Sequence, residues 1–269
     1  MSTRLVPVAS PEDPAIADYA NVRDRDLARG DGLFVAEGEV VVRVLATRGR
    51  FRVRSLLLEE RRVAPLADVL AALDERPEEV RVHVAPQAVM DAIVGFHIHR
   101  GVLALGERGP ALDPASLVRE PGLVVGLVGL ANHDNVGSIF RSAAAFGVRA
   151  VLLDGETCDP LYRKAIRVSV GAAFSVPFAR VEGASAMLDL LEASGHEVLG
   201  LSPRGELSLD ALPPLPRRAL VLGTEGPGLP ASVLARARPV RIPMAPGLDS
   251  LNVAVATGIA LYETTRRSG

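Results

Sequence analysis

With 269 residues, 48% of them apolar, the chain has material for one large core or two modest ones. Its formal net charge of -2 gives no overall field for a polyanion, so any nucleic-acid contact requires a local patch. A single cysteine, Cys158, excludes an internal disulfide and a zinc site of several thiolates; with no apolar run of signal-peptide or spanning length, the expectation is a cytoplasmic protein, without membrane span or metal.

In chain order, short apolar runs at 33–35, 40–45, 53–58, 80–84 and 101–105, with a helical stretch around 66–73, predict a small α/β domain over residues 1–107. Between Arg43 and Arg62 seven arginines stand against two acids, and this stretch is expected to contact phosphate. Arginine's excess over the single lysine, Lys164, fits a GC-rich coding bias better than a binding role. His97 and His99 share a strand face and read as surface or RNA-facing residues, since no third metal ligand is evident. Turn formers and charge from Glu107 to Pro114 mark a linker over 108–120.

From 121 to 269, strand-like runs at 123–130, 150–153, 198–201, 219–222 and 240–242 alternate with amphipathic helical patterns. That alternation predicts an α/β fold with a parallel sheet covered by helices, and ligands held beyond the carboxyl ends of the strands. The proline-rich piece Leu212 to Pro216 reads as a rigid connector.

Three segments fall at such strand ends. After the first strand, Asn135 is expected to cap a helix whose apolar stripe is Val136, Ile139, Phe140, Ala143 and Ala144, with Gly147 ending it. Arg141 lies off the stripe, and its long side chain can reach back toward Asn135. Gly223 to Gly228 follow a strand as a tight loop carrying Glu225, without the Gly-Lys-Ser/Thr ending of a P-loop. Ser250, Leu251 and Asn252 open a helix from Val253 to Tyr262 that is almost wholly apolar or small and is expected to be buried on most sides, with Ser250 a candidate cap. A buried Asn252 would need partners, at a cost of about 1–3 kcal/mol without them.

These residues carry a resemblance. Asn135, Gly137 and Arg141 match an Asn-x-Gly-x-x-x-Arg core; Gly223, Glu225, Gly226 and Gly228 match Gly-x-Glu-Gly-x-Gly. Ile242 to Met244 and Ser250 to Val253 match Ile-Pro-Met followed by Ser-Leu-Asn-Val. In this order they resemble the three signature motifs of the SpoU (TrmH-type) RNA ribose 2'-O-methyltransferases. The likeness spans roughly residues 123–267. Weaker likenesses cover Phe34 to Gly38 and Arg100 to Ala104, in the family's RNA-binding accessory domain, and Lys164 to Ala172, its middle stretch.

The resemblance implies a parallel α/β methyltransferase domain with a deep trefoil knot behind a smaller RNA-binding domain. It implies S-adenosylmethionine held by the backbone at Gly223, Ile242 and Leu251, a homodimer through the methyltransferase domain, and structured RNA, ribosomal or transfer, as substrate. By the same carry-over Arg141, Asn135, Glu225, Ser250 and Asn252 form the catalytic neighbourhood. Arg141 is expected to bind the phosphate beside the target ribose and stabilise the developing alkoxide. The alternative from another class is an RNA-binding module of the same fold without turnover. A His133–Asp134–Ser138 relay is disfavoured for want of a nucleophile elbow, and Cys158 reads as a spectator.

Overall fold

The computed structural model describes residues 4–19, 32–94, 101–247 and 250–266, which leaves His97 and His99 outside the described residues. The chain divides into two compact units, residues 1–110 with 161–175, and residues 111–160 with 176–269.

The first unit contains β1 (Arg4–Pro7), β2 (Leu33–Glu37), α1 (Glu39–Arg48), β3 (Arg52–Glu59), α2 (Ala67–Asp74), β4 (Arg81–Ala85), α3 (Gln87–Val94) and β5 (Val102–Glu107). Its sheet has the order β1-β4-β3-β5-β2, in which β5 alone runs against its neighbours. Leu56, Leu57 and Leu58 are wholly buried, so the middle of β3 is covered on both faces. The run at 40–45 is helical: Val41, Val42, Leu45 and Ala46 are buried at helical spacing, one stripe inside α1. The Arg76 guanidinium closes that helix by donating to the carbonyls of Leu45, Ala46, Gly49 and Phe51. Phe174, from the 161–175 piece, stacks on Phe34 at 5.2 Å between ring centroids, and Phe51 meets Phe34 edge-on at 5.3 Å.

The arginine-rich stretch does not form a free basic stripe. Arg43 pairs with Glu39 and Asp68, Arg52 with Glu107, Arg54 with Asp18, and Arg61 with Glu59. Four of the seven arginines thus meet an acid, and Asp18, Asp68 and Glu107 come from outside the stretch, where a count along it does not register them.

Along the rest of the chain come α4 (Pro114–Val118), β6 (Gly122–Leu127), α5 (His133–Ala145), β7 (Ala150–Leu153), α6 (Arg163–Val168, in the first unit), β8 (Phe178–Arg180), α7 (Gly183–Ala193), β9 (Glu197–Leu201), β10 (Leu207–Ser208), β11 (Arg217–Leu222), α8 (Ala231–Leu234), β12 (Arg238–Arg241) and α9 (Val253–Thr265). Seven strands form one parallel sheet in the order β10-β12-β9-β11-β6-β7-β8. The expected parallel sheet is therefore present, and its strands are apolar because helices cover both faces. The chain steps from β6 outward to β7 and β8, then returns to β9 on the other side of β11, which makes the β6–β11 junction a switch point.

α9 packs against α5 and buries Ala254, Thr257, Ala260, Leu261 and Thr264. Its other face is open: Val255, Ile259 and Tyr262 are 53%, 40% and 54% exposed, against the expectation of burial on most sides. A helix with no polar face gives no periodic signal of which stripe is covered. Among the described residues no helix is long and apolar enough to cross a membrane, and no group of three or more His, Cys, Asp or Glu is placed to hold a metal.

Candidate active site

α5 begins one residue after Asn132, whose side chain caps it by accepting from the amide of Asp134 at 2.8 Å. Asn135, expected as the cap, is instead the third residue of the helix and only 6% exposed. Two asparagines three residues apart compete for the cap, and the winner frees the other's carboxamide for the interior. Gly147 follows the helix in the left-handed region, as expected of its C-terminal stop.

The freed carboxamide meets the other two segments. Asn135 Nδ2 donates to Glu225 Oε1 at 2.5 Å, and Asn252 Nδ2 donates to Asn135 Oδ1 and to Glu225 Oε1, both at 3.0 Å. Asn252 Oδ1 meanwhile caps α9, accepting from the amides of Ala254 and Val255. Asn252 is exposed, so the buried amide that needed partners is that of Asn135, and it has them. Glu225 thereby sits where two helices begin. Both donors go to Oε1, and Oε2 has no hydrogen-bond partner among the described residues.

The glycine loop is shaped by close backbone contact. A Cβ on Gly223 would lie 2.4 Å from the backbone of Gly228 and Leu229, so no other residue fits there. The turn closes through the Gly228 amide donating to the Thr224 carbonyl at 3.1 Å, with Gly226 and Gly228 both in the left-handed region. Beside it lies a cavity of about 300 Å³, walled by Leu222, Ile242, Met244 and Leu251, with Gly223, Glu225, Ser250 and Asn252 also on its lining. Every wall comes from beyond the carboxyl end of β9, β11 or β12, or from the start of α9.

A support behind this site escaped the sequence reading. The buried Asp154 carboxylate accepts from the amides of Gly129 at 3.0 Å and Thr157 at 2.8 Å, and from the Thr157 hydroxyl at 2.7 Å. Arg180 donates to the carbonyls of Asp154 and Thr157. This network pins the loop between β6 and α5, where Gly129 lies so near Thr224 that a Cβ would approach its methyl to 2.8 Å. An acid at the end of β7 and an arginine in β8 carry no motif; the burial of Asp154 appears only in the fold.

The structure thus brings Asn135, Glu225 and Asn252 into one hydrogen-bonded group and sets Gly223, Ile242, Ser250 and Leu251 around the adjoining cavity. Arg141 is not joined to them. Six residues beyond Asn135, it lies about 120° round the helix, exposed and without a hydrogen bond or ion pair among the described residues. Cys158 is half-buried, and desolvation raises its thiol pKa to about 11, so it stays a neutral thiol.

A family model described as the SpoU rRNA Methylase family matches residues 122–262. An uncharacterized tRNA/rRNA methyltransferase of Mycobacterium bovis is 41% identical, over 96% of this chain and 91% of that one. A 23S rRNA (guanosine-2'-O-)-methyltransferase of Coxiella burnetii is 36% identical, over 63% of this chain and 70% of that one. Among solved structures, an AdoMet-bound rRNA methyltransferase from Sinorhizobium meliloti superimposes with a TM-score of 0.82 at 26% identity, covering 97% of this chain and 98% of that one.

Proposed function

The chain belongs to the SpoU rRNA methylase family, and from that premise we propose that it methylates a ribose 2'-hydroxyl in structured RNA, ribosomal in preference to transfer RNA, using S-adenosylmethionine. The observation that carries the reading is the Asn135–Glu225–Asn252 group, built from three remote segments beside one cavity. The ribose specificity is supported by the likeness to the Coxiella burnetii 2'-O enzyme.

The cavity fits the cofactor by chemistry and shape. Leu222, Ile242, Met244 and Leu251 offer apolar walls for a flat base, and the crowded backbone at Gly223 leaves main-chain groups free to bond it. When bound, S-adenosylmethionine supplies an electrophilic sulfonium methyl group. The chain's own residues must then hold a ribose oxygen in line with that methyl and manage its proton. Arginine side chains do not deprotonate in proteins, so Arg141 serves as a cation that binds the neighbouring phosphate and steadies the negative charge growing on the 2'-oxygen. Ser250, Asn135 and Asn252 position by hydrogen bonding, while Glu225 orients the two amides.

The same reading assigns residues 1–107 to RNA binding, 108–120 to a linker and 121–269 to methyl transfer. The trefoil knot is part of it, supported by the insertion of the late strand β12 between β9 and β10. So is a homodimer, supported by the uncovered Val255, Ile259 and Tyr262 stripe on α9. The protein acts in the cytoplasm, where its RNA is. Mapping ribose methylation across ribosomal and transfer RNA in a deletion strain tests the proposal: one or more 2'-O-methyl marks vanish, and an unchanged map refutes it. Arg141→Lys refines it, since near-normal turnover by that variant would reject the bidentate phosphate role.

A further inference from the structure

The first unit holds a second cavity, of about 420 Å³, at the end of its sheet where the apolar face runs out. Over most of that face Leu57, Leu103 and Leu105 are covered by Ile16 and Tyr19. At its end Ser55 of β3, whose hydroxyl bonds with that of Tyr19, stands in register with Arg81 of β4. A bulge between Val53 and Ser55 interrupts β3 at Arg54, and such bulges re-aim side chains at sheet edges. Arg52, Arg54 and Arg81 line the cavity together with Asp18, Glu79 and Glu107.

Three cations and three anions cancel, so this is not an anion trap. What distinguishes the cavity is that Arg81 and Glu79 each lack a polar partner among the described residues, while Arg52 and Arg54 are taken by Glu107 and Asp18. Also on the lining is His83, 3% exposed, whose buried Nδ1 has no hydrogen-bond partner among the described residues. Burial holds its pKa below the ordinary histidine value, so it adds no charge. A site offering one unspent guanidinium and one unspent carboxylate suits a ligand edge that both accepts and donates. Among RNA bases, guanine does this best: O6 and N7 accept, as in bidentate arginine contacts, while N1–H and the 2-amino group donate to a carboxylate.

We infer that this cavity takes an unpaired guanine of the RNA, with Arg81 on its O6/N7 edge and Glu79 on its N1–H and amino group. It rests on the reading of RNA as substrate, and it lies in a different unit from the methyl-transfer site, so it concerns recognition and not the modified nucleotide.

The test is a titration of the ¹⁵N-labelled full chain with 5'-GMP, 5'-AMP, 5'-UMP and inorganic phosphate, followed by amide shifts. GMP should move the amides of residues 79–83 and 52–55 and saturate at least about fivefold below AMP or UMP, a preference typical of one good base contact. Arg81→Ala and Glu79→Ala, both at exposed positions, should each abolish that preference with the spectrum otherwise intact. Equal saturation by phosphate alone would make this an anion site and overturn the inference. No shift with GMP, or equal affinity for all three nucleotides, would overturn it as well. The readout needs no methyl transfer, so an inactive protein that still discriminates GMP would sink the proposed function and leave the cavity's assignment standing.

Discussion

In the seven-stranded sheet every strand runs the same way, so the loops after β6, β9, β11 and β12 leave from one edge, and the segments after β6, β11 and β12 join through Asn135, Glu225 and Asn252. In the five-stranded sheet β5 opposes its neighbours, and the charged residues around its end pair locally across exposed surface, as Arg52 does with Glu107. The first arrangement turns residues 90 and 117 positions apart into a fixed group; the second leaves charges free to exchange partners. Exposed pairs of the second kind contribute at most about 1 kcal/mol each. A shared strand edge therefore preorganises chemistry, whereas an edge of mixed direction supplies an adaptable surface suited to recognition.

The strongest way to break this comparison is Gly223→Ala. The added Cβ forces apart backbone already in contact, and S-adenosylmethionine affinity measured by calorimetry should fall by about 100-fold, or about 2.7 kcal/mol. The amide spectrum of the first unit should not change. Wild-type affinity in this variant would show that the loop is not held as described.

Asn252 sharpens the point, because it does two jobs with different atoms. Asn252→Asp keeps the cap on α9 but sets a carboxylate against Glu225, so thermal stability should hold to within about 1 kcal/mol while methyl transfer drops about 100-fold. Asn252→Ala should lose both, the cap costing about 1 kcal/mol. Equal melting temperatures for the two variants would contradict the cap assignment.

Much of the seven-stranded unit was legible in the sequence because apolar runs of three to eight residues separated by helical patterns admit few other architectures. The convergence of the three segments followed from placing them all after strands. What stayed hidden turned on choices between near-equivalent residues. Asn132 and Asn135 are both good caps, and only the presence of Glu225 in space decides between them. Asp154 and Arg180 look like surface charges until the fold buries one and aims the other at carbonyls. The run at 40–45 carries a helical stripe too short to read by eye, and the arginines of β3 meet acids remote in sequence.

Acid offers a milder comparison, since among the described residues each unit buries one histidine. Desolvation lowers the pKa of His83 in the first unit and of His196 in the second, where the Arg217 charge adds to it. Both folds then prefer the neutral ring. Their contribution is complete above the unfolded value of about 6.5 and is lost as pH falls through the lower folded values. Urea midpoints should therefore drop between pH 7.5 and 5.5, and His83→Gln and His196→Gln should each flatten the slope of their own unit in hydrogen exchange. An unaltered slope in both variants would mean that neither ring is desolvated as described.

At Cys158 the effect is confined to the reactivity of one side chain. With its thiol pKa raised to about 11 by burial, alkylation by iodoacetamide at pH 8 should lag a free cysteine by about 100-fold and recover in denaturant. Prompt labelling of the native protein would contradict the placement of that residue.

The account stands or falls on methyl transfer itself. Purified protein incubated with unmodified ribosomal RNA and tritium-labelled S-adenosylmethionine should yield label that, after digestion to nucleosides, runs wholly as 2'-O-methylribonucleoside, and Asn135→Ala should reduce it about 100-fold. Label on a base, or RNA binding with no incorporation at all, would contradict it.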